Sequence, residues 1–254
     1  MPKFFVKPEN ISGGTAVLAG EKAAHITKSL RMSAGERVIL CDGEGTDYRC
    51  VIDSVGTEVR LTVEKSFRSS GEPPYRAVVY QALSKGDRFD AVIQKSVEYG
   101  AHSIVPVRTE RATVRLNAEE CCRKSARWQR IAESAAEQCG RGIIPKIGGL
   151  LSFTEAVEAA AAANLALFCY ENEESAMLRE KLQIFVASQE SGVVPEIAVI
   201  VGPEGGFSDK EAAFAANAAA KNSSFNIVSL GSRILRTESA APFVLACLCM
   251  TLDM

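Results

Sequence analysis

Two rhythms divide the chain. Up to residue 68 the apolar and polar positions alternate over short runs. RVILCDGEGTDYRCVIDSV alternates on both sides of Asp42-Gly43-Glu44-Gly45, which predicts a β-hairpin. LTVEKSF adds a strand, and EKAAHITKSLRMSAGE predicts one short helix ending near Gly35. SSGEPPY, residues 69–75, reads as a linker, because its serines, glycine and prolines suit neither helix nor ladder. Beyond it, apolar runs that predict strands (RAVVYQAL, HSIVPVRT, LALFCYE, IAVIVGP, NIVSLG) alternate with helical patterns. The predicted helices are KGDRFDAVIQKSVEYG, CCRKSARWQRIAESAAEQCGR, SAMLREKLQIFVAS, SDKEAAFAANAAAKN and ILRTESAAPFVLACLCMTLD. Such alternation predicts an α/β domain, an open parallel sheet with helices on both faces, over 71–254. Residues 1–70 fit a small β-barrel, an architecture often used to hold RNA.

Composition removes several classes of protein. The chain has 254 residues, 47% hydrophobic and 24% charged, as in ordinary globular proteins. No apolar run reaches the roughly 20 residues of a membrane span, and MPKFFVKPEN lacks the apolar core of a signal peptide. The eight cysteines lie in apolar or helical runs without regular spacing, so reduced thiols in a cytoplasmic protein are expected. Cys121-Cys122 and Cys247-x-Cys249 lack zinc-site spacing, and His25 lies far from His102, so no metal is expected. Net charge is −2, but it is unevenly spread. Residues 71–150 carry 13 Lys and Arg against 9 Asp and Glu, whereas residues 151–254 carry 6 against 13. The basic excess (Arg108, Arg111, Arg115, Arg123, Lys124, Arg127, Arg130) reads equally as an RNA-facing stripe or as a solvated helix face.

Two strand-end loops carry the candidate chemistry: Gly202-Pro203-Glu204-Gly205-Gly206 and the stretch LGSRILRTE, residues 230–238. Walker A and dinucleotide-binding glycine patterns are both missing. Ligands of open α/β sheets bind beyond the carboxyl ends of strands, so two polar loops after consecutive strands predict one pocket. Glu204 and Glu238 argue against a phosphate and for a neutral or cationic ligand. A branched side chain in place of Gly205 is expected to enter the ligand space.

GPEGGFSDKE followed by LGSRILRTESA resembles the signature pair of the trefoil-knotted (SPOUT-class) RNA methyltransferases. More narrowly, the chain resembles the bacterial ribosomal RNA small subunit methyltransferase E family, which methylates N3 of one uridine in 16S rRNA. The resemblance spans nearly the whole chain. It includes HITKSLRMSAGE, QALSKGDRFDAVIQKSVEYGAHSIVPV, ERATVRL and RWQRIAESAAEQCGRGIIPKI. Ser84 and Ser239 stand where the family usually has proline and threonine.

The resemblance implies a knotted sheet behind a PUA- or OB-like barrel, S-adenosylmethionine as cofactor, and a homodimer acting on the 30S subunit. It places the cofactor against Leu167, Tyr170, Gly202, Pro203, Glu204, Gly205, Gly206, Leu230, Gly231, Ile234, Leu235, Arg236, Thr237, Glu238 and Ala240. It places RNA against His25, Arg31, Lys85, Arg88, Arg111, Arg123, Lys124, Arg127, Arg130, Gln138 and Arg141. Arg236 would stabilise the uracil anion, and Glu204 or Glu238 would accept the N3 proton if burial raises its pKa. Glu238 reads equally as a helix N-terminal carboxylate. Glu137, Gln138 and Arg141 would line the RNA approach, though Glu137 and Gln138 equally read as capping or pairing within the helix, and Trp128 either stacks a base or fills the core. The final helix is apolar around most of its circumference, which predicts a dimer interface. A non-catalytic RNA-binding module and an enzyme for a small nucleotide are the competing readings.

Overall fold

The computed structural model describes residues 1–189 and 192–253. The chain divides into two compact units, Met1–Glu72 with Ala136–Ile144, and Pro73–Ala135 with Pro145–Met254.

The first unit holds β1 (Lys3–Phe5), β2 (Ile11–Ser12), β3 (Thr15–Leu18), α1 (Gly20–Ala24), β4 (Arg37–Cys41), β5 (Thr46–Val55) and β6 (Val59–Arg68). These strands form one mixed sheet in the order β1-β4-β5-β6-β3-β2. β1 runs parallel to β4, and the other pairs are antiparallel. The expected hairpin is β4 and β5. Among the described residues no ladder joins β2 to β1, so the expected barrel is hydrogen-bonded as an open sheet. Alternate residues of the strands (Val38, Leu40, Cys50, Ile52, Val59, Leu61) bury against Phe4, Leu18 and Ile26. The helix expected to run to Gly35 is shorter. α1 passes into a π-helical turn at His25–Ser29, and Arg31 takes a left-handed φ of 54°, which a continuing helix does not allow.

Residues 136–144 belong to this unit through a buried polar network. Glu72 accepts from Arg141 through Nε (2.9 Å) and Nη2 (2.7 Å), and from the amides of Gly142 (2.8 Å) and Ile143 (2.9 Å). Lys3 donates to Asp47 (2.9 Å), to Ser69 Oγ (3.1 Å) and to the Gly140 carbonyl (3.1 Å). A Cβ on Gly142 would lie 2.1 Å from that of Ser69, so only glycine fits.

The second unit begins with β7 (Arg76–Ala82), α2 (Arg88–Glu98), β8 (Ala101–Arg108) and α3 (Ala118–Cys139), whose last turn lies in the first unit. It continues with β9 (Lys146–Ile147), β10 (Leu151–Ser152), α4 (Phe153–Ala160), β11 (Leu165–Cys169) and α5 (Leu178–Ala187). β12 (Glu196–Val201), α6 (Asp209–Lys221), β13 (Phe225–Val228) and α7 (Thr237–Leu248) complete it. The sheet is parallel throughout, in the order β10-β8-β7-β12-β11-β13, with β9 also pairing β8. α4 and α6 cover one face over Tyr80, Phe153, Phe168, Phe207 and Phe225, and α7 packs on β7 and β12 beside α2 and α5. The connection after β7 leads to one side of the sheet and the connection after β12 to the other. Their carboxyl ends therefore flank a switch point, where α/β folds bind ligands. Among the described residues no helix is long and apolar enough to cross a membrane.

Candidate cofactor and active site

A cavity of about 650 Å³ opens at the carboxyl ends of β11, β12 and β13. The β12 loop supplies Gly202 to Gly206, and the β13 loop supplies Leu230, Gly231 and residues 233–238. Tyr170 and Ala240 also line it, so fourteen of the fifteen residues expected to meet a cofactor come together in one place. Leu167 does not line the cavity; it is fully buried inside β11.

Sequence reading missed the third loop. Cys169 ends β11, and Tyr170 and Glu171 follow it as GPEGG follows β12; of these three lining residues only Tyr170 was anticipated. The signal was present, since LALFCYE also ends a strand in a polar run. Glu171 bears directly on the glycine loop. A Cβ on Gly206, where φ is +67°, would lie 1.9 Å from its carboxylate oxygen. Gly205 differs: its Cβ would meet Arg111 at an ordinary 3.5 Å. Gly205 lines the cavity and has room for a Cβ among protein atoms, whereas at Gly206 a side chain would meet a left-handed backbone and displace Glu171. Burial pushes the Cys169 thiol up to about 12, so it stays protonated and is no nucleophile.

Three contacts hold the β12 loop. Ser208 caps α6 by accepting the Glu211 amide, while the Glu211 carboxylate accepts the Ser208 amide (2.9 Å). The same carboxylate accepts the Glu110 amide at 2.8 Å, tying in the loop after β8. Arg111 donates to the Phe207 carbonyl at 2.9 Å and lies 3.6 Å from Asp209.

Glu204 points to the start of α2, where Arg88 donates to it at 2.6 Å and the Lys85 amide at 3.3 Å. Burial opposes ionisation, but its own backbone amide, Arg88 and Lys85 outweigh it and hold the carboxyl below the usual range. The condition for Glu204 as proton acceptor, a pKa raised by burial, is not met. Glu238 lies in the first turn of α7, 3.9 Å from Arg236, whose side chain is 79% exposed. α7 has no side-chain cap; instead Thr237 Oγ1 donates to the Gly202 carbonyl at 2.7 Å.

The residues expected to meet RNA are dispersed. Arg88 lines the cavity, and Arg123 and Lys124 are exposed on α3 without an ion pair among the described residues. Arg127 pairs with Asp90, and Arg130 Nε donates to the Ala126 carbonyl at 3.4 Å. His25 and Arg31 are exposed on the first unit, as is Gln138. Arg141 is corrected: it is 3% exposed and braces Glu72, so its guanidinium cannot face RNA. Glu137 accepts the Phe5 amide at 3.2 Å, and Trp128 is buried with its ring 4.5 Å from that of Phe89, so neither is offered to RNA.

Residues 71–249 match the family model described as an RNA methyltransferase domain, and residues 18–64 match that described as an RNA methyltransferase PUA domain. The fold is thus that of an RNA methyltransferase domain with an N-terminal PUA domain. Ribosomal RNA small subunit methyltransferase E of Bacillus subtilis is 28% identical over 250 residues, covering 97% of this chain and 95% of its own. Its Synechocystis counterpart is 32% identical over 245 residues, covering 96% and 76%. The crystal structure of a ribosomal RNA small subunit methyltransferase E from Neisseria gonorrhoeae, bound to S-adenosyl methionine, has a TM-score of 0.81 at 31% identity, covering 98% of this chain and 97% of that one. The chain belongs to the ribosomal RNA small subunit methyltransferase E family.

Proposed function

We propose that the protein transfers the methyl group of S-adenosylmethionine to N3 of a uridine in 16S rRNA, with the 30S subunit as substrate. The observation that carries this reading is the strand-end cavity, in a family with a member solved bound to S-adenosyl methionine.

The lining fits that cofactor. The volume lies within the roughly 300–1,000 Å³ of small-molecule sites. Three carboxylates (Glu171, Glu204, Glu238) suit a cation and oppose a phosphate. Val201, Leu235 and Ala240 offer apolar surface to a flat ring, and GPEGG offers close backbone.

When bound, the cofactor supplies a methyl group already activated on a sulfonium. The protein's task is then to place the uracil and remove its N3 proton. Arg236 stands exposed at the cavity edge and presents paired donors to a developing uracil anion. Glu238, partly buried beside it, is the remaining acceptor for the proton. Glu204 stays a carboxylate that fixes Arg88 at the rim. The exposed cations of α3 supply sequence-independent grip on phosphates.

The reading extends to a homodimer in the cytoplasm. Ile234, Phe243 and Met250 are 87%, 39% and 67% exposed on α7 and its flanks, apolar surface suited to a two-fold contact. All eight cysteines are free thiols, as a reducing compartment requires. A trefoil knot belongs to the same reading, and the return of α7 from the far edge strand to the centre of the sheet supports it.

Transfer of tritiated methyl to 30S subunits, followed by digestion to nucleosides, tests the proposal. Label in 3-methyluridine is expected. RNA binding without label would leave a non-catalytic module, and label on free nucleotide would make the substrate a small molecule.

A further inference from the structure

Gln81 lines no part of the cavity, yet both cofactor loops hang from it. Side chains alternate along β7. Tyr80 enters the core under α4 and α6, so Gln81 faces α7, where it is fully buried. Its Nε2 lies 2.9 Å from Thr237 Oγ1, which in turn lies 2.7 Å from the Gly202 carbonyl.

The direction of this chain is fixed by counting protons. A carbonyl only accepts, so the single hydroxyl proton of Thr237 goes to Gly202. The hydroxyl must then accept from Gln81, which sets the amide with Nε2 toward Thr237 and a longer bond to the Ala82 carbonyl at 3.3 Å. Gln81 Oε1 is buried without a hydrogen-bond partner among the described residues. An unpartnered buried carbonyl is costly, so the orientation of this amide is held by Thr237. Gly202 opens the β12 loop, and Thr237 ends the β13 loop and begins α7, which has no side-chain cap. One hydroxyl thus spaces the two loops, and one amide orients that hydroxyl.

We propose that Gln81 is a positioning residue which sets cofactor affinity by holding the two loops at their proper separation through Thr237. The inference rests on the reading of the cavity as an S-adenosylmethionine site. It predicts a change in binding and not in chemistry: the cofactor KM should rise while kcat at saturating cofactor stays within about twofold.

Calorimetry with S-adenosylmethionine tests it on the full chain for the wild type, Q81L, Q81E, T237V and the double variant Q81L/T237V. The wild type should bind; a wild type that does not would remove the cofactor reading itself. Q81L should weaken binding about tenfold to thirtyfold. Q81E should weaken it at least as much, because an ionised carboxylate cannot donate and would draw the Thr237 proton from Gly202. The double variant should bind no worse than T237V, because the two residues act in series. Losses that multiply in the double variant would overturn the relay, as would Q81L, or a folded T237V, binding within threefold of a wild type that binds. Thermal unfolding run alongside identifies any variant that does not fold. Should Q81L fail to fold, Q81M, which keeps the length of the side chain, takes its place in the cycle.

Discussion

The two loops that open α6 and α7 face the same cavity and are built in opposite ways. The first closes on a complete capping box. Its buried Glu211 also accepts the amide of Glu110 at 2.8 Å and that of Ser208 at 2.9 Å. The second starts its helix without a side-chain cap, leaves Arg236 79% exposed and Ile234 87% exposed, and is tied down by the Thr237 hydroxyl. A loop fixed on all sides suits a ligand of constant shape. A loop with Arg233, Ile234 and Arg236 in solvent suits a partner that arrives from outside. On the proposed reading, GPEGG fits the cofactor, and the exposed Arg233 and Arg236 of the second loop are the side chains open to RNA.

The sharpest way to break that division is Arg236→Lys. Methylation should slow by roughly 10²–10³, the usual cost of one oxyanion donor, while cofactor affinity is unchanged. Single-turnover methylation of 30S subunits beside calorimetry checks this, and a parallel loss of cofactor binding would move Arg236 into the binding set. Next in size is Glu211→Ala, which strands two amides. A cost of about 2–3 kcal/mol is expected, or a drop in Tm of roughly 4–12 °C at this chain length. Ser232→Ala in the other loop should leave Tm unchanged, and equal shifts would erase the contrast in rigidity. A smaller effect is expected from Gly206→Ala. The left-handed backbone and the displaced Glu171 should lower cofactor affinity about tenfold, whereas Gly205→Ala should bind as the parent does.

The smallest effect is acidic. The carboxyl of Glu204 is held below its ordinary value in the folded protein, so its contribution is present above the unfolded carboxylate value of about 4.3 and is lost as pH falls through the folded one. Arg88→Ala should therefore flatten the fall in Tm between neutral pH and pH 4 or below. Identical acid profiles for variant and parent would mean that the ion pair does not act on stability.

Local patterns carried much of this architecture. Apolar runs of strand length separated by amphipathic helices announced the parallel sheet, and the helical run beginning at Ser208 announced α6. The two glycine loops were legible because each follows a strand directly. What the sequence hid depends on partners distant along the chain. Arg141 looks like any basic residue at a helix end until Glu72, 69 positions earlier, reaches it. Gln81 is an unremarkable polar residue in a strand until Thr237, 156 positions later, accepts from it. Burial of Glu204 argued for a raised pKa, but donors from Arg88 and Lys85, 116 and 119 positions away, reversed the sign.

The Glu72 network also imposes an order in time. A ribosome releases Lys3, Asp47, Ser69 and Glu72 early, but Gly140, Arg141 and the amides of Gly142 and Ile143 come later. A nascent chain halted before residue 136 would carry the whole N-terminal sheet, yet its Glu72 would still await Arg141, Gly142 and Ile143, and its Lys3 would await Gly140. By the time they emerge, β7, α2 and β8 have already been made. The first unit thus gains its last polar contacts only after part of the second has been made, unlike an independent leading domain. Synthesis therefore finishes the first unit only after the second has begun to emerge.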